Sequence, residues 1–223
     1  MRSLVSGLVA FHLIAFASVS TGGPNENGTL VVHGCDLCFT TTDWPFFCDP
    51  TNWPQELLPT TCAEVNTYLE GANTVVWYVY AAFPPSASPR LSEVSFGIDL
   101  PELELVVVAW GSCADAFEAT SNWPGSGSGT VLRWSVPQES TFVTAAYFAG
   151  YNYYGNPVSF ALTPHPEVGG YFGDDSDPIV KDPIAQYGSL GWDGGEGSAP
   201  CPEEPTPTVR QSWGKTKWEI RSK

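Results

Sequence analysis

Apolar residues in this chain recur at every second position rather than every third or fourth, and that period confines it to β-sheet. Val94, Phe96, Ile98 and Leu100 fall on one face of an extended segment. Leu103, Leu105, Val107 and Ala109 share a face, and Glu102 and Glu104 begin the other. Leu132, Trp134 and Val136 point one way, and Phe142–Phe148 and Val158, Phe160 and Leu162 repeat the pattern. Thr29–Val32 reads as a first strand. Thr74–Phe83 is apolar at nearly every position, which predicts a central strand buried on both faces. Gly and Pro clusters separate these runs, drawn from 22 glycines and 20 prolines. Segments rich in Lys, Glu, Ala and Leu are absent, so a helical bundle is excluded. The predicted fold is all-β, a jelly-roll or Ig-like β-sandwich. Residues 164–202 read as irregular, with one helical turn at 182–188 capped by Asp182, with Pro183 at its first position and Gly188 closing it.

The two ends differ from the body. Met1-Arg2 precedes an apolar run, Leu4–Ala17, and then Ala17-Ser18-Val19-Ser20. The run is short for a bilayer span and reads as a cleavable signal peptide, residues 1–20. The mature chain has no other stretch of that kind, so no transmembrane segment is expected in it. The sandwich domain is expected at 21–202, with a Cys-rich N-terminal part at 29–72. Residues 203–223 read as a Pro-rich linker and a basic, aromatic tail. The expected location is secreted, extracellular or at the cell surface.

All six cysteines lie after the signal: Cys35, Cys38, Cys48, Cys62, Cys113 and Cys201. An even number in an exported chain reads as a disulfide framework stapling the N-terminal loops, and sequence leaves the connectivity open. Cys35-Asp-Leu-Cys38 also has zinc or redox spacing, but no second close pair and no βαβ unit accompany it.

Between residues 21 and 209 there are 3 basic residues, Arg90, Arg133 and Lys181, against 23 acidic ones. Such a surface repels nucleic acid and anionic lipid, so nucleic acid is excluded as a partner. The densest acidic group, Asp174, Asp175 and Asp177 with Asp182 nearby, is the candidate site for Ca²⁺, the one cofactor expected if there is any. A solvated acidic turn is the competing reading.

Signals for common catalysis are missing. Gly125-Ser126-Gly127-Ser128-Gly129 has glycine where a nucleophile elbow needs serine, and reads as a turn. Two histidines follow the signal, His33 and His165, and neither is accompanied by an activated serine or an oxyanion hole. Glu102 and Glu104 share one strand face and do not oppose each other as a glycosidase pair must. No catalytic residue is assigned and the chain is read as non-enzymatic. Trp123, Tyr151, Tyr153 and Tyr154, expected in loops or at strand ends, are the candidate ligand-binding residues, with a glycan or a surface protein as partner.

Six segments of residues 74–202, "VWYVYAAFP", "FGIDL…VVVAWGSCADAFE", "WPGSGSGTVL", "AYFAGYNYYG", "FALTPHPEVGGYFGDDS" and "DPIAQYGSLGWDG…PCP", resemble an uncharacterised family of exported proteins from uncultured bacteria. The resemblance implies a bacterial secreted protein. The ending Ser212–Arg221 is similar to one shared by such proteins. More distantly, Phe96–Leu103 followed by Val106–Gly111 resembles a stretch of cohesin-like sandwich domains, with Leu100 where an aspartate usually precedes the proline. The expected function is a secreted or cell-surface β-sandwich with a binding or structural role. A carbohydrate-binding module and a secreted hydrolase are the alternatives.

Overall fold

The computed structural model describes residues 22–38, 47–49 and 57–203, excluding the side chains of residues 36–38. The signal at 1–20, the side chain of Cys38 and the tail from residue 204 lie outside the described residues. The described chain is a two-sheet all-β structure, with a short 3-10 turn at Cys62–Glu64.

The strand predicted to be buried on both faces is β3, Val75–Ala82, and all eight of its residues are buried. It runs antiparallel between β1 (Thr29–Cys38) and β8 (Phe142–Asn152), and β5 (Leu105–Ser112) closes the four-stranded sheet in the order β1-β3-β8-β5. Trp77, Val79 and Ala81 enter the core between the sheets. Val76, Tyr78, Tyr80 and Ala82 enter a second apolar cluster on the other side, with Phe47, Cys48, Leu57, Cys62 and Val65 packed there. The smaller sheet is thus covered on its outer face by the Cys-rich segment.

Among the described residues, two disulfides hold that cover down. Cys48–Cys113 ties it to the residue just after β5, and Cys62–Cys201 ties it to the chain's C-terminal stretch. Cys35 is buried, its sulfur 3.6 Å from the Leu57 carbonyl oxygen. The bridges span 65 and 139 residues, long loops for which closure restricts the unfolded chain most.

In the larger sheet β4 (Leu91–Asp99) is central. One side pairs with β7 (Ser128–Gln138), which carries β6 (Ala116–Ala119). The other side pairs first with β10 (Tyr171–Gly173) and then with β9 (Val158–Thr163). β10 continues to β11 (Lys181–Pro183), and β9 to β12 (Ser189–Trp192) and the parallel β2 (Tyr68–Leu69). Between the sheets Trp77 meets Phe148, Phe160 and Trp192 at centroid distances of 5.9, 5.5 and 5.1 Å.

Three expectations are corrected. The segment read as irregular after residue 164 carries β10, β11 and β12. The helical turn at 182–188 is absent: Lys181–Pro183 pairs with β10, and Tyr187 bridges to Leu30. The Asp182 carboxylate, assigned as a helix cap, instead accepts the backbone N–H groups of Gly23 and Asn25 at 2.7 and 3.0 Å. Leu103 and Val136, grouped by period on one face with Leu105 and Leu132, are 87% and 68% exposed while those two are buried. Leu103 belongs to the turn that closes when Glu104 and Leu105 N–H donate to the Pro101 carbonyl, so the strand begins two residues later.

Candidate functional site

Because Val94, Phe96 and Ile98 of β4 fill the core, Glu93, Ser95 and Gly97 stand on the outer face of the larger sheet. That face carries a cleft of about 370 Å³, floored by Glu93 and walled by two loops, residues 164–170 and 174–180.

The Glu93 side chain is only 7% exposed, yet it ends in a carboxylate. Burying such a group is costly unless it is paired. Arg133, directly opposite on β7, donates Nε to Oε2 at 2.6 Å. The Tyr171 hydroxyl of β10 donates to Oε1, and Lys181 Nζ of β11 lies 3.9 Å from the same oxygen. The Lys181 ammonium also sits 3.9 Å from the centre of the Tyr171 ring. Burial, and secondarily the bond to Glu93, pushes the Tyr171 phenol above its ordinary range, so it remains a donor. Arg133 reaches on to Glu118 of β6 at 3.4 Å. Two of the three basic residues between 21 and 209 therefore converge on one buried carboxylate.

His165 is laid flat on the same sheet. Gly97 and Gly129 are register partners on β4 and β7. A Cβ on Gly97 would lie 2.8 Å from the Pro164 carbonyl oxygen, and one on Gly129 would lie 2.4 Å from His165 Cδ2. The bare backbone strip admits Pro164-His165-Pro166 and leaves the His165 residue 6% exposed. Its Nδ1 accepts the N–H groups of Glu167 and Val168 at 3.1 and 3.3 Å, which places the proton of the neutral ring on Nε2. Ser95 Oγ pins the loop by donating to the Gly169 carbonyl at 2.9 Å. Burial lowers the His165 pKa, against smaller upward pulls from Glu167 and Glu118.

The second wall is shaped by Asp174. Its Oδ1 accepts Ser176 N–H, Ser176 Oγ–H and Val180 N–H at 3.1, 2.5 and 2.8 Å, folding the loop so that Ile179 lines the cleft. Asp175 forms an ion pair with Arg90. Together with the two backbone bonds of Asp182, this disperses the four aspartates grouped by sequence: Asp174, Asp175 and Asp182 face different partners and Asp177 is exposed. Among the described residues no group of three or more His, Cys, Asp or Glu side chains is arranged to hold a metal ion.

The aromatic candidates also separate. Trp123 packs against the core, edge-on to Phe96 and Trp110. Tyr153 and Tyr154 are 60% and 64% exposed, and their rings meet at 80°, 4.7 Å apart, beside Tyr151. His33 is a strut: Nε2 contacts the Leu57 carbonyl at 3.1 Å and Nδ1 accepts the Asn66 N–H at 3.0 Å. Glu93, Arg133, Tyr171 and Lys181 were missed by sequence reasoning. Their signal was faint: isolated charges on strands, joined only by pairing between strands far apart in the chain.

No protein-family model matches the chain, and no curated protein matches it. Among solved structures it is similar to a cohesin module of a Clostridium perfringens family 33 glycoside hydrolase, at 8% identity and a TM-score of 0.43, covering 62% of this chain and 93% of that one. It is also similar to a type I cohesin of Pseudobacteroides cellulosolvens, at 13% identity and a TM-score of 0.42, covering 62% and 92%. A third similar structure is a chain from a type I cohesin–dockerin complex of Clostridium thermocellum, at 6% identity and a TM-score of 0.42, covering 74% and 99%.

Proposed function

We propose that the protein is an extracellular, non-enzymatic β-sandwich module that binds a partner through the cleft over Glu93. One observation carries this reading: the outer face of the smaller sheet is covered by a disulfide-held segment, whereas the loops that cross the outer face of the larger sheet leave a cleft of about 370 Å³ between them. The location rests on the two disulfides, which form and persist in oxidising compartments, together with the export signal read at residues 1–20.

A hydrolytic reading has one observation in its favour, the convergence of His165 with Glu93, Glu118 and Glu167. The bonding argues against it. Both Glu93 oxygens and His165 Nδ1 are already engaged, and neither serine nor cysteine lines the cleft. Screening the mature chain on a glycan array, a peptide panel and a set of hydrolase substrates separates the readings. Binding without turnover, weakened at least tenfold in Glu118→Lys/Glu167→Lys, supports the module. Turnover, or binding indifferent to that variant, overturns it.

A further inference from the structure

We propose that the cleft over Glu93 takes the chain's own C-terminal segment, residues 212–221. This rests on the reading of that cleft as the binding face.

The cleft presents a defined chemistry. Arg133 and Lys181 are both turned onto Glu93, which spends their charge at the floor. Three carboxylates line the cleft against these two cations, so its mouth stays acidic at Glu167 and at Glu118, which is 77% exposed and shares Arg133 at 3.4 Å. Val168 and Ile179 expose aliphatic surface on the two loop walls. A complementary occupant is basic and apolar at once. Residues 204–223 hold five basic side chains against two acidic ones, and they include Trp213, Trp218 and Ile220. Lys215 and Lys217 supply ammonium groups for the two glutamates, and Trp218 and Ile220 supply apolar surface for the loop walls.

The segment also starts in the right place. Cys201 and Pro202 lie beside Phe83, Thr141 and Phe142, at the end of the sandwich where β3 stops and β8 starts. β4 begins at that same end, with Leu91 opposite Gln138, and Glu93 is two residues further in. The eight residues 204–211 that lead to the segment reach at most about 29 Å when extended, against a radius of gyration of about 16 Å for a domain of this size. Tethering gives an effective concentration on the order of millimolar, so a weak contact suffices to fill the site.

The intact mature chain tests this directly. Zero-length carbodiimide coupling at low ionic strength, followed by peptide mapping, is expected to join Lys215 or Lys217 to Glu118 or Glu167 within the monomer. About 0.5 M salt should cut that yield several-fold. Coupling spread evenly over distant carboxylates such as Glu70 and Glu102, confined to a dimer, or absent would overturn the proposal. Lys215→Glu/Lys217→Glu changes only the tail, and it should shift the amide resonances of Thr120, Glu167 and Val168; unshifted resonances overturn docking. If the tail variant is silent but an external ligand still depends on Glu118 and Glu167, docking fails while the cleft stands as a binding site. If ligand binding ignores those glutamates, the reading of the cleft fails as well.

Discussion

Gly97 and Gly129 stand opposite each other across β4 and β7, and the volume their side chains would fill is taken by Pro164 and His165. The missing Cβ atoms therefore determine where one wall of the cleft lies. The obstacle at Gly97 includes two backbone carbonyl oxygens at 2.8 Å, those of Pro164 and Ser128, which have little room to move. Gly97→Ala should destabilise the domain by about 1–3 kcal/mol, the range for overpacked sites. Gly129→Ala should instead lift His165 and increase the exchange of the Glu167 and Val168 amides. Urea titration and hydrogen exchange read the two effects, and unchanged protection in Gly129→Ala would show that the ring is not seated on the strip.

The buried imidazole also makes stability depend on pH in a fixed direction. The folded pKa of His165 is lowered from its ordinary 6.5, chiefly by burial. In the window between that lowered value and about 6.5 the unfolded chain binds more protons than the folded one, so stability rises with pH. The contribution is full above about 6.5 and is lost as pH falls towards the folded value. Protonating Nδ1 also removes the acceptor for two backbone N–H groups. Denaturation midpoints from pH 8 to 5 should fall in the parent chain and flatten in His165→Asn, whose side-chain oxygen can accept a hydrogen bond but does not titrate. Parallel curves would remove His165 as the source.

How far sequence could reach is visible in particular strands. β3 and β9 were legible because burial follows the side-chain period: β3 is covered on both faces, and β9 alternates buried and half-buried residues along its length. β10 and β11 were not legible, since three residues each are too few to show a period and they exist only by pairing with β4 and with each other. Asp182 has the sequence signature of a helix cap and does perform capping chemistry, but on Gly23 and Asn25, more than 150 residues away. Glu93 failed for the same reason. A carboxylate on a strand reads as a solvated face, and only the pairing of β7 and β10 with β4, and of β11 with β10, supplies its two hydrogen-bond donors and the Lys181 ammonium.

That network should behave as a unit. Tyr171→Phe removes one donor and leaves the ring under Lys181, for an expected loss of about 1–2 kcal/mol. Arg133→Met leaves Glu93 poorly compensated. Because Arg133 is half-exposed, its loss should cost about 1–3 kcal/mol, below the ~3–5 of a fully buried pair. Adding Glu93→Gln to Arg133→Met should recover part of that loss, giving a coupling of about 1 kcal/mol in a double-mutant cycle. Additive losses would mean that the pair contributes no more than two independent side chains.

The disulfides make separable predictions because they fasten different ends of the cover. Cys62–Cys201 holds the C-terminal stretch against the 3-10 turn at Cys62–Glu64, whereas Cys48–Cys113 holds Phe47 and Cys48 over Tyr147 of β8, beside the end of β5. On loop closure alone they are worth about 4 and about 5 kcal/mol for the 65- and 139-residue loops, and removing a native bridge typically costs about 2–5 kcal/mol. Cys62→Ser/Cys201→Ser should therefore lower stability by that amount and leave the cluster around Tyr78 protected. Cys48→Ser/Cys113→Ser should also raise solvent access to Tyr78 and Tyr80. Both phenols are pushed above their ordinary range chiefly by burial. Uncovering them should let them ionise nearer pH 10, which ultraviolet titration detects. Equal tyrosine titration in the two double variants would show that Phe47 and its neighbours stay in place without their bridge.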